Sequence, residues 1–201
     1  MLLDDYTNQF QTLDRIVDFT KKKNEVIKNG RVDLEVNGDP IITIASQLGD
    51  YNLVKTLISL QADVNRIRKT KYANGNTALI EASRYGYYQI AKLLIDNHAN
   101  LNIQNYMGYT ALITATLNRQ DKIVDLLLKN GADINIKDMN GDTALLIGCA
   151  KGYFEIVDLL LKYHADITIV DNDDEDCFLL ARKSDNYKTL EVLDKYQKKS
   201  D

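Results

Sequence analysis

The stretch MGYTALITA, Met107–Ala115, decides the fold because it recurs at a fixed interval along the chain. NGNTALIEA begins 33 residues earlier, at Asn74, and NGDTALLIG begins 33 residues later, at Asn140. More divergent copies open at Gly38 with GDPIITIA and at Asp174 with DEDCFLLA. A repeat of this length is typical of a solenoid, in which each unit buries the apolar face of its neighbour.

Each unit carries the signals of two helices joined by a turn. In the copy quoted first, the Thr110 hydroxyl precedes an apolar run and can accept hydrogen bonds from the free backbone N–H groups of a first helical turn. We expect the same N-cap role, in chain order, of Asp39 (followed by Pro40 as the first helical residue), Thr77, Thr143 and Asp176. These positions predict a short first helix in every unit.

The second helix of each unit is apolar over much of its circumference. IAKLLID, IVDLLLK and IVDLLLK begin at Ile90, Ile123 and Ile156, and their apolar residues form a wide stripe. Such a helix needs neighbours on both sides, which a solenoid supplies. The turn between the two helices holds glycine in most units, whereas Arg119 and Asp185 stand there in the other two.

The repeated residues resemble the ankyrin repeat, whose pattern runs G-x-T-P-L-H-x-A-A, then a leucine-rich second helix and G-A-D-V-N. GYTALITAT and KIVDLLLKNGADINIKD match most of it, and the resemblance extends from Asn37 to about Asp176. The family proline is replaced by Ala78, Ala111 and Ala144, and the family histidine by Thr43, Ile80, Ile113, Leu146 and Leu179. Stacking must therefore depend more on apolar packing than on histidine hydrogen bonds.

The resemblance implies an all-α ankyrin-repeat solenoid that forms one continuous domain with protruding hairpin-like loops. We predict a helical N-terminal cap or degenerate repeat at residues 1–34 and a C-terminal capping repeat at 171–201. Between them we predict four full repeats, at residues 35–71, 72–104, 105–137 and 138–170.

Composition argues against several kinds of protein. The 25 basic and 29 acidic residues give a net charge of −4, which disfavours a nucleic-acid partner. The first 103 residues hold 13 basic and 12 acidic residues and the remainder 12 and 17, so the charge is +1 in one part and −5 in the other. No signal peptide or membrane-spanning stretch is evident. We therefore expect a cytoplasmic protein that is monomeric alone, or one delivered into a host cell.

The histidines and cysteines offer little chemistry. His98 and His164 resemble a catalytic pair, but both align with Gly131 just past a second helix, so a helix-terminus role is favoured. Cys149 and Cys177 occupy small-residue core positions, where buried inert thiols are favoured over a redox role. Two cysteines without a CxxC pair also favour a reducing compartment. No cofactor, metal ion or catalytic residue is expected.

Two runs of charged residues can each be interpreted in two ways. The acidic run Asp171–Asp176 resembles a calcium loop but lacks its glycine and distant glutamate, so a solvated turn with a helix cap is favoured. The basic run RIRKTKY coincides with a four-residue insertion and reads equally well as an exposed loop or as a contact for an acidic partner. Its basic residues are Arg66, Arg68, Lys69 and Lys71.

The residues that differ most between copies flank the repeat glycine or end the first helix. Several are Tyr or Met where a solvated turn would favour Asn, Asp, Gly or Ser, although exposed tyrosines can also be scattered by chance. We therefore expect a partner-binding face on the concave side, formed by the loop fingers and first helices. The predicted contacts are Tyr72, Asn74, Asn76, Arg84, Tyr85, Tyr106, Met107, Tyr109, Leu117, Asn118, Met139, Asn140, Asp142, Lys151, Asp173 and Glu175.

The sequence therefore predicts a non-catalytic module that binds another protein. Ankyrin-like chains of this size resemble bacterial or viral inhibitors, immunity proteins and effectors. The alternatives are a regulatory adaptor in a cellular complex and, less favoured, a nucleic-acid-binding protein, which would need a basic concave face.

Overall fold

A computed structural model describes residues 13–36, 38–67 and 74–197. Within these ranges no helix is both long enough and apolar enough to cross a bilayer. Four predicted contact residues, Arg68, Lys69, Lys71 and Tyr72, lie outside the described residues. Part of the predicted N-terminal cap and the last four residues of the predicted C-terminal cap also lie outside them.

The described chain is an all-α solenoid with one very short β ladder. An N-terminal helix, α1 (Leu13–Asn29), is followed by β1 (Glu35–Val36) and β2 (Asp39–Pro40), which pair antiparallel. The first helices of successive units are α2 (Ile41–Gln47), α4 (Ala78–Tyr85), α6 (Ala111–Leu117), α8 (Ala144–Lys151) and α10 (Cys177–Lys183). The second helices are α3 (Tyr51–Ser59), α5 (Tyr88–Asp96), α7 (Asp121–Lys129), α9 (Phe154–Lys162) and α11 (Tyr187–Gln197). The unit boundaries drawn from the sequence remain our proposal.

Helices pack in two layers that run along the stack. Each first helix contacts the first helix of the next unit, each second helix contacts the next second helix, and α1 packs on α2 and α3. The first helices α2, α4, α6 and α8 are mostly buried, whereas α10 buries only Cys177 and Ala181. Ile80, Ile113 and Leu146, at the position of the family histidine, are each 1% exposed. The expected apolar stacking is therefore present in the central units.

Helix starts follow the sequence prediction with one exception. The hydroxyls of Thr77, Thr110 and Thr143 accept from the backbone N–H three residues on, at 3.2, 3.2 and 3.3 Å, and the Asp176 carboxylate does so at 2.8 Å. The predicted cap at Asp39 is wrong. Asp39 and Pro40 belong to β2, so α2 starts at Ile41 with Pro40 at the N-cap and no side-chain cap.

Left-handed backbone marks the turns. His98 and His164 both have φ 65°, and Gly131 has φ 81° at the equivalent position. The predicted helix-terminus role of both histidines is thereby confirmed. Arg119 and Asp185 each have φ 52°, so the two units without glycine keep the same turn between their helices.

Asparagine side chains tie the units together beyond the second helices. The Oδ1 atoms of Asn65, Asn102 and Asn135 accept hydrogen bonds from the backbone N–H groups of the following unit. Their donors are Asn100, Asp133 and Asp166, at 2.7, 2.9 and 3.0 Å. We call this series the asparagine ladder. It satisfies backbone donors that the loops would otherwise leave to solvent.

The two cysteines do not remain as separate thiols. Cys149 in α8 and Cys177 in α10 form a disulfide whose Cα atoms are 5.4 Å apart, a normal separation for this bond. Both residues are buried as predicted, but the prediction of two inert thiols is wrong. Stacking brings them into contact because they lie on neighbouring first helices, although 28 positions separate them in sequence.

A substitution in one glycine is expected to disrupt the contact between units. A Cβ atom at Gly108 (φ 80°) would lie 2.8 Å from the Cα atom of Asp138 and from the backbone nitrogen of Met139. We expect Gly108→Ala to lower the free energy of unfolding by about 3 kcal/mol through strain and displacement of this backbone. Urea denaturation provides the measurement.

The control is Gly131→Ala, because Gly131 has φ 81° but no atom within 4 Å of an added Cβ. It should cost only about 1 kcal/mol, the cost of the left-handed conformation. Equal losses in the two variants would contradict the proposed clash between units.

The disulfide is expected to stabilise the C-terminal units. Closing a loop between residues 28 apart contributes about 3–4 kcal/mol in the chain-entropy description. The Cys149→Ala/Cys177→Ala variant should therefore melt several degrees below the oxidised protein, as followed by circular dichroism. Titration of the unfolded, unreduced protein should detect no free thiol. Two titratable thiols would show that the pair is not bonded.

Candidate functional site

Each of the later fingers, the loops that join one unit to the next, is shaped by an acceptor side chain three residues before the repeat glycine or before Asp174, which replaces it in the last unit. Asn105, Asp138 and Asp171 occupy this position. In each case Oδ1 accepts two hydrogen bonds, from the backbone N–H groups two and four residues on, at 2.8–2.9 Å. Sequence reasoning missed these residues, although their spacing of 33 was visible.

Backbone hydrogen bonds join neighbouring finger tips. The N–H groups of Tyr106, Met139 and Asn172 donate to carbonyl groups of the preceding finger. The acceptors are Asn74, Met107 and Asn140, at 2.9, 3.2 and 2.9 Å. The tips therefore form a row held by the backbone, in which side chains project at fixed spacing.

The exposed apolar residues of this row lie at its centre. Tyr106, Met107 and Met139 are 49, 50 and 67% exposed. Met107 and Met139 lie on neighbouring fingers and are joined by the hydrogen bond between their backbones. The Tyr106 ring also lies against Gly75 of the preceding finger. We call Tyr106, Met107 and Met139 the apolar tip. Large apolar side chains held outward on a rigid backbone are a common feature of binding surfaces.

The other predicted contact residues differ in accessibility. Asn118, Asn140, Lys151 and Asp173 are exposed, whereas Asn74, Arg84, Tyr85, Tyr109, Leu117, Asp142 and Glu175 are half-buried. Tyr109 and Leu117 pack partly against the core. Burial of Tyr109, helped by the nearby carboxylates of Asp138 and Asp142, raises the pKa of its phenol. Only the exposed part of the Tyr109 and Leu117 side chains is therefore available to a partner.

Asn76 is the one described contact residue that the structure buries. It is 7% exposed, and its Nδ2 atom donates to Glu81 Oε1 at 2.7 Å while its Oδ1 atom accepts from Asn105 Nδ2 at 2.7 Å. Asn76 thus supports the finger from inside and is not part of the proposed contact surface.

Glu81 is a buried carboxyl group that sequence reasoning overlooked. It is 7% exposed in α4, at a position held by Ile44, Thr114 and Ile147 in other units. Burial raises the pKa of Glu81, while the hydrogen bond from Asn76 and the charge of Arg84 lower it. The Oε2 atom has no hydrogen-bond partner, so this residue costs stability that an apolar residue would not.

The ends of the first helices continue the face beside the fingers. The Arg84 guanidinium lies 5.7 Å from the centre of the Tyr85 ring, which stacks on the Tyr87 ring with centres 6.0 Å apart. Gln47 at the end of α2 donates to the Tyr85 hydroxyl at 3.4 Å. Tyr85 is thus held in place by its neighbours before any partner binds.

Carboxylates gather at the C-terminal end of the finger row. Burial and the surrounding acidic residues raise the pKa of Asp142 to about 6. The acidic neighbours responsible are Asp138, Asp171, Asp173 and Glu175. In the described part of the chain, no group of three or more His, Cys, Asp or Glu residues could hold a metal ion. The Asp171 carboxylate instead accepts backbone N–H groups of its own turn.

The start of the basic run is engaged by the N-terminal segment. Arg66 Nη1 donates to the Asp33 carbonyl oxygen at 3.0 Å, and Nη2 forms an ion pair with Glu35 in β1. Arg66 therefore helps to attach the first unit to the segment that precedes it. A contact between Arg66 and a partner would compete with this ion pair.

The paired helices and hydrogen-bonded fingers define a repeat protein of the helical-solenoid class. Two family models match its sequence, one described as ankyrin repeats (3 copies) over residues 42–138 and one as ankyrin repeats (many copies) over residues 118–161. The chain belongs to the ankyrin repeat family. Ankyrin repeats are generally protein–protein interaction modules and are typically non-catalytic. No curated protein sequence matches the chain.

The raised pKa of Asp142 predicts a pH-dependent stability. The folded protein binds this proton more tightly than the unfolded chain, so Asp142 increasingly destabilises the fold as the pH rises from about 4 to about 6. Because the residue is half-exposed, we expect Asp142→Asn to stabilise the protein at pH 7.5 by only about 1 kcal/mol. Urea denaturation at pH 7.5 and pH 3.5 measures this difference, which should vanish at the lower pH.

Glu191→Gln is the control, since it removes one exposed carboxylate from α11. It should leave the stability at pH 7.5 almost unchanged. An equal gain in both variants would assign the effect to net charge alone.

Proposed function

We propose that this chain is a non-catalytic module that binds a partner protein through the fingers and first helices. The observation that carries the proposal is the apolar tip, which the inter-finger hydrogen bonds hold outward at the centre of the row. A binding surface fixed before association loses little conformational entropy when the partner arrives. Curvature of solenoids generally places such residues on a concave face.

The proposed contact surface combines the apolar tip with the adjoining half-buried and exposed side chains. Beyond the tip it comprises Asn74, Arg84, Tyr85, Tyr109, Leu117, Asn118, Asn140, Asp142, Lys151, Asp173 and Glu175. We refer to the whole set as the finger face. A nucleic acid is disfavoured as its partner because the carboxylates at one end would repel phosphate groups.

Inhibition or neutralisation of the partner, as by an immunity protein or a bacterial or viral effector, is the role we favour. This rests on the family to which the chain belongs. A regulatory adaptor in a larger complex is the second candidate. We propose a cytoplasmic location in either case, although the buried disulfide weakens the argument for a reducing compartment. We also propose that the chain is monomeric when alone.

The apolar tip provides the test of partner binding. We expect Tyr106→Ala/Met107→Ala/Met139→Ala to reduce recovery of the partner at least tenfold in affinity purification followed by mass spectrometry. The melting temperature should change little because these side chains are about half-exposed or more. Substituting Tyr85 or Tyr109 would be less informative, since both residues are half-buried and also contact the rest of the protein.

Tyr187→Ala is the matched control because Tyr187 is an aromatic residue, 74% exposed, outside the finger face. Recovery of the same proteins by wild type, the triple variant and this control would refute the assignment of the finger face.

A further inference from the structure

The finger face changes in chemical character from its centre to its C-terminal end. The apolar tip ends at Met139, and the next three residues lead through Asn140 to Asp142. In the following finger, the side chain of Asn172, which precedes Asp173 in the chain, donates to the Met139 carbonyl oxygen at 3.0 Å, and the charge of Asp173 acts on Asp142. Apolar and acidic groups are therefore immediate neighbours on one rigid backbone.

The acidic end has few cations of its own. Lys183 forms an ion pair with Glu175, and Lys137 Nζ donates to the Val170 carbonyl oxygen at 2.7 Å. In the ranges covered by the structure, neither Asp142 nor Asp173 has a cationic partner. The raised pKa of Asp142 reflects burial and this accumulation of negative charge. A cation placed between the two carboxylates would relieve the repulsion.

We infer that the finger face binds a protein segment in which a lysine or arginine lies close to a large apolar side chain. This inference rests on the proposed function and specifies the chemistry of the partner. The apolar side chain would cover Met107 and Met139, whose flexible thioethers adapt to its shape. The cationic group would reach Asp142 and Asp173, which are free to accept its hydrogen bonds.

Other ligands would match either the carboxylates or the apolar tip of this surface, but not both. A small cation or polyamine neutralises the carboxylates but leaves the methionine side chains in water. An acidic or purely apolar segment covers the tip but leaves Asp142 and Asp173 unneutralised, and burial of those charges would then weaken the complex. A segment carrying both groups meets both requirements at once.

A peptide selection tests this inference on the full chain. The oxidised protein is immobilised, and a phage-displayed library of random dodecapeptides is selected against it at low ionic strength. We expect enriched peptides to share a Lys or Arg within a few positions of a large aliphatic or aromatic residue. One such peptide, made synthetically, would then be titrated against protein variants by calorimetry.

Two double variants separate the two halves of the surface. Asp142→Asn/Asp173→Asn should weaken the peptide at least tenfold and reduce the salt dependence of its dissociation constant. Met107→Ala/Met139→Ala should weaken it by a similar factor with the salt dependence retained. Glu191→Gln/Asp194→Asn removes the same charge from α11 and should leave the affinity within about twofold.

The outcomes distinguish this inference from the proposed function. Peptides that need Met107 and Met139 but lack Lys and Arg would overturn the inference while supporting the finger face as a binding surface. Peptides indifferent to all four residues, or no enrichment, would overturn both at this surface. Equal weakening by the α11 variant would assign the effect to net charge and overturn the inference. A dimer in analytical ultracentrifugation that the tip variant dissociates would identify a second copy as the occupant and would also overturn it.

Discussion

Burial of the first helices between neighbouring units is the constraint on which the rest of this structure depends. Ile80, Ile113 and Leu146 are almost fully buried, and each contributes to an interface that its own unit cannot complete. Because a single helix pair leaves this surface in water, the units fold only as a stack. Stacking in turn sets the register of the fingers, joins the cysteines and fixes where exposed side chains can point.

Local interactions were predictable from the sequence, whereas contacts between units were much less so. The threonine caps and the left-handed histidines depend on a few adjacent residues, so one copy of the repeat already indicates them. The predicted N-cap role of Asp39 is wrong because pairing of β1 with β2 moves the helix start by one residue. The prediction that Cys149 and Cys177 are separate thiols is wrong because their contact exists only after the stack has formed.

In the candidate site, too, local features were predictable from the sequence and contacts between units were not. Variation between copies identified Met107 and Met139, which are exposed because they are not needed for packing. The same criterion wrongly included Asn76, which varies because it serves the buried carboxyl group of Glu81 in one unit only. Exposure and internal hydrogen bonding can therefore be assigned only when the neighbouring unit is in place.

The asparagine ladder has a direction, because each asparagine accepts a hydrogen bond from the unit that follows it. Asn65, Asn102 and Asn135 have this role, and Thr168 occupies the same position in the last full unit. A duplicated unit inserted inside the array would receive a hydrogen-bond acceptor from its predecessor and supply one to its successor. A unit that follows Thr168 meets a shorter threonine hydroxyl in place of the asparagine amide oxygen. Duplication of a unit that carries this asparagine therefore preserves the series of hydrogen bonds between units.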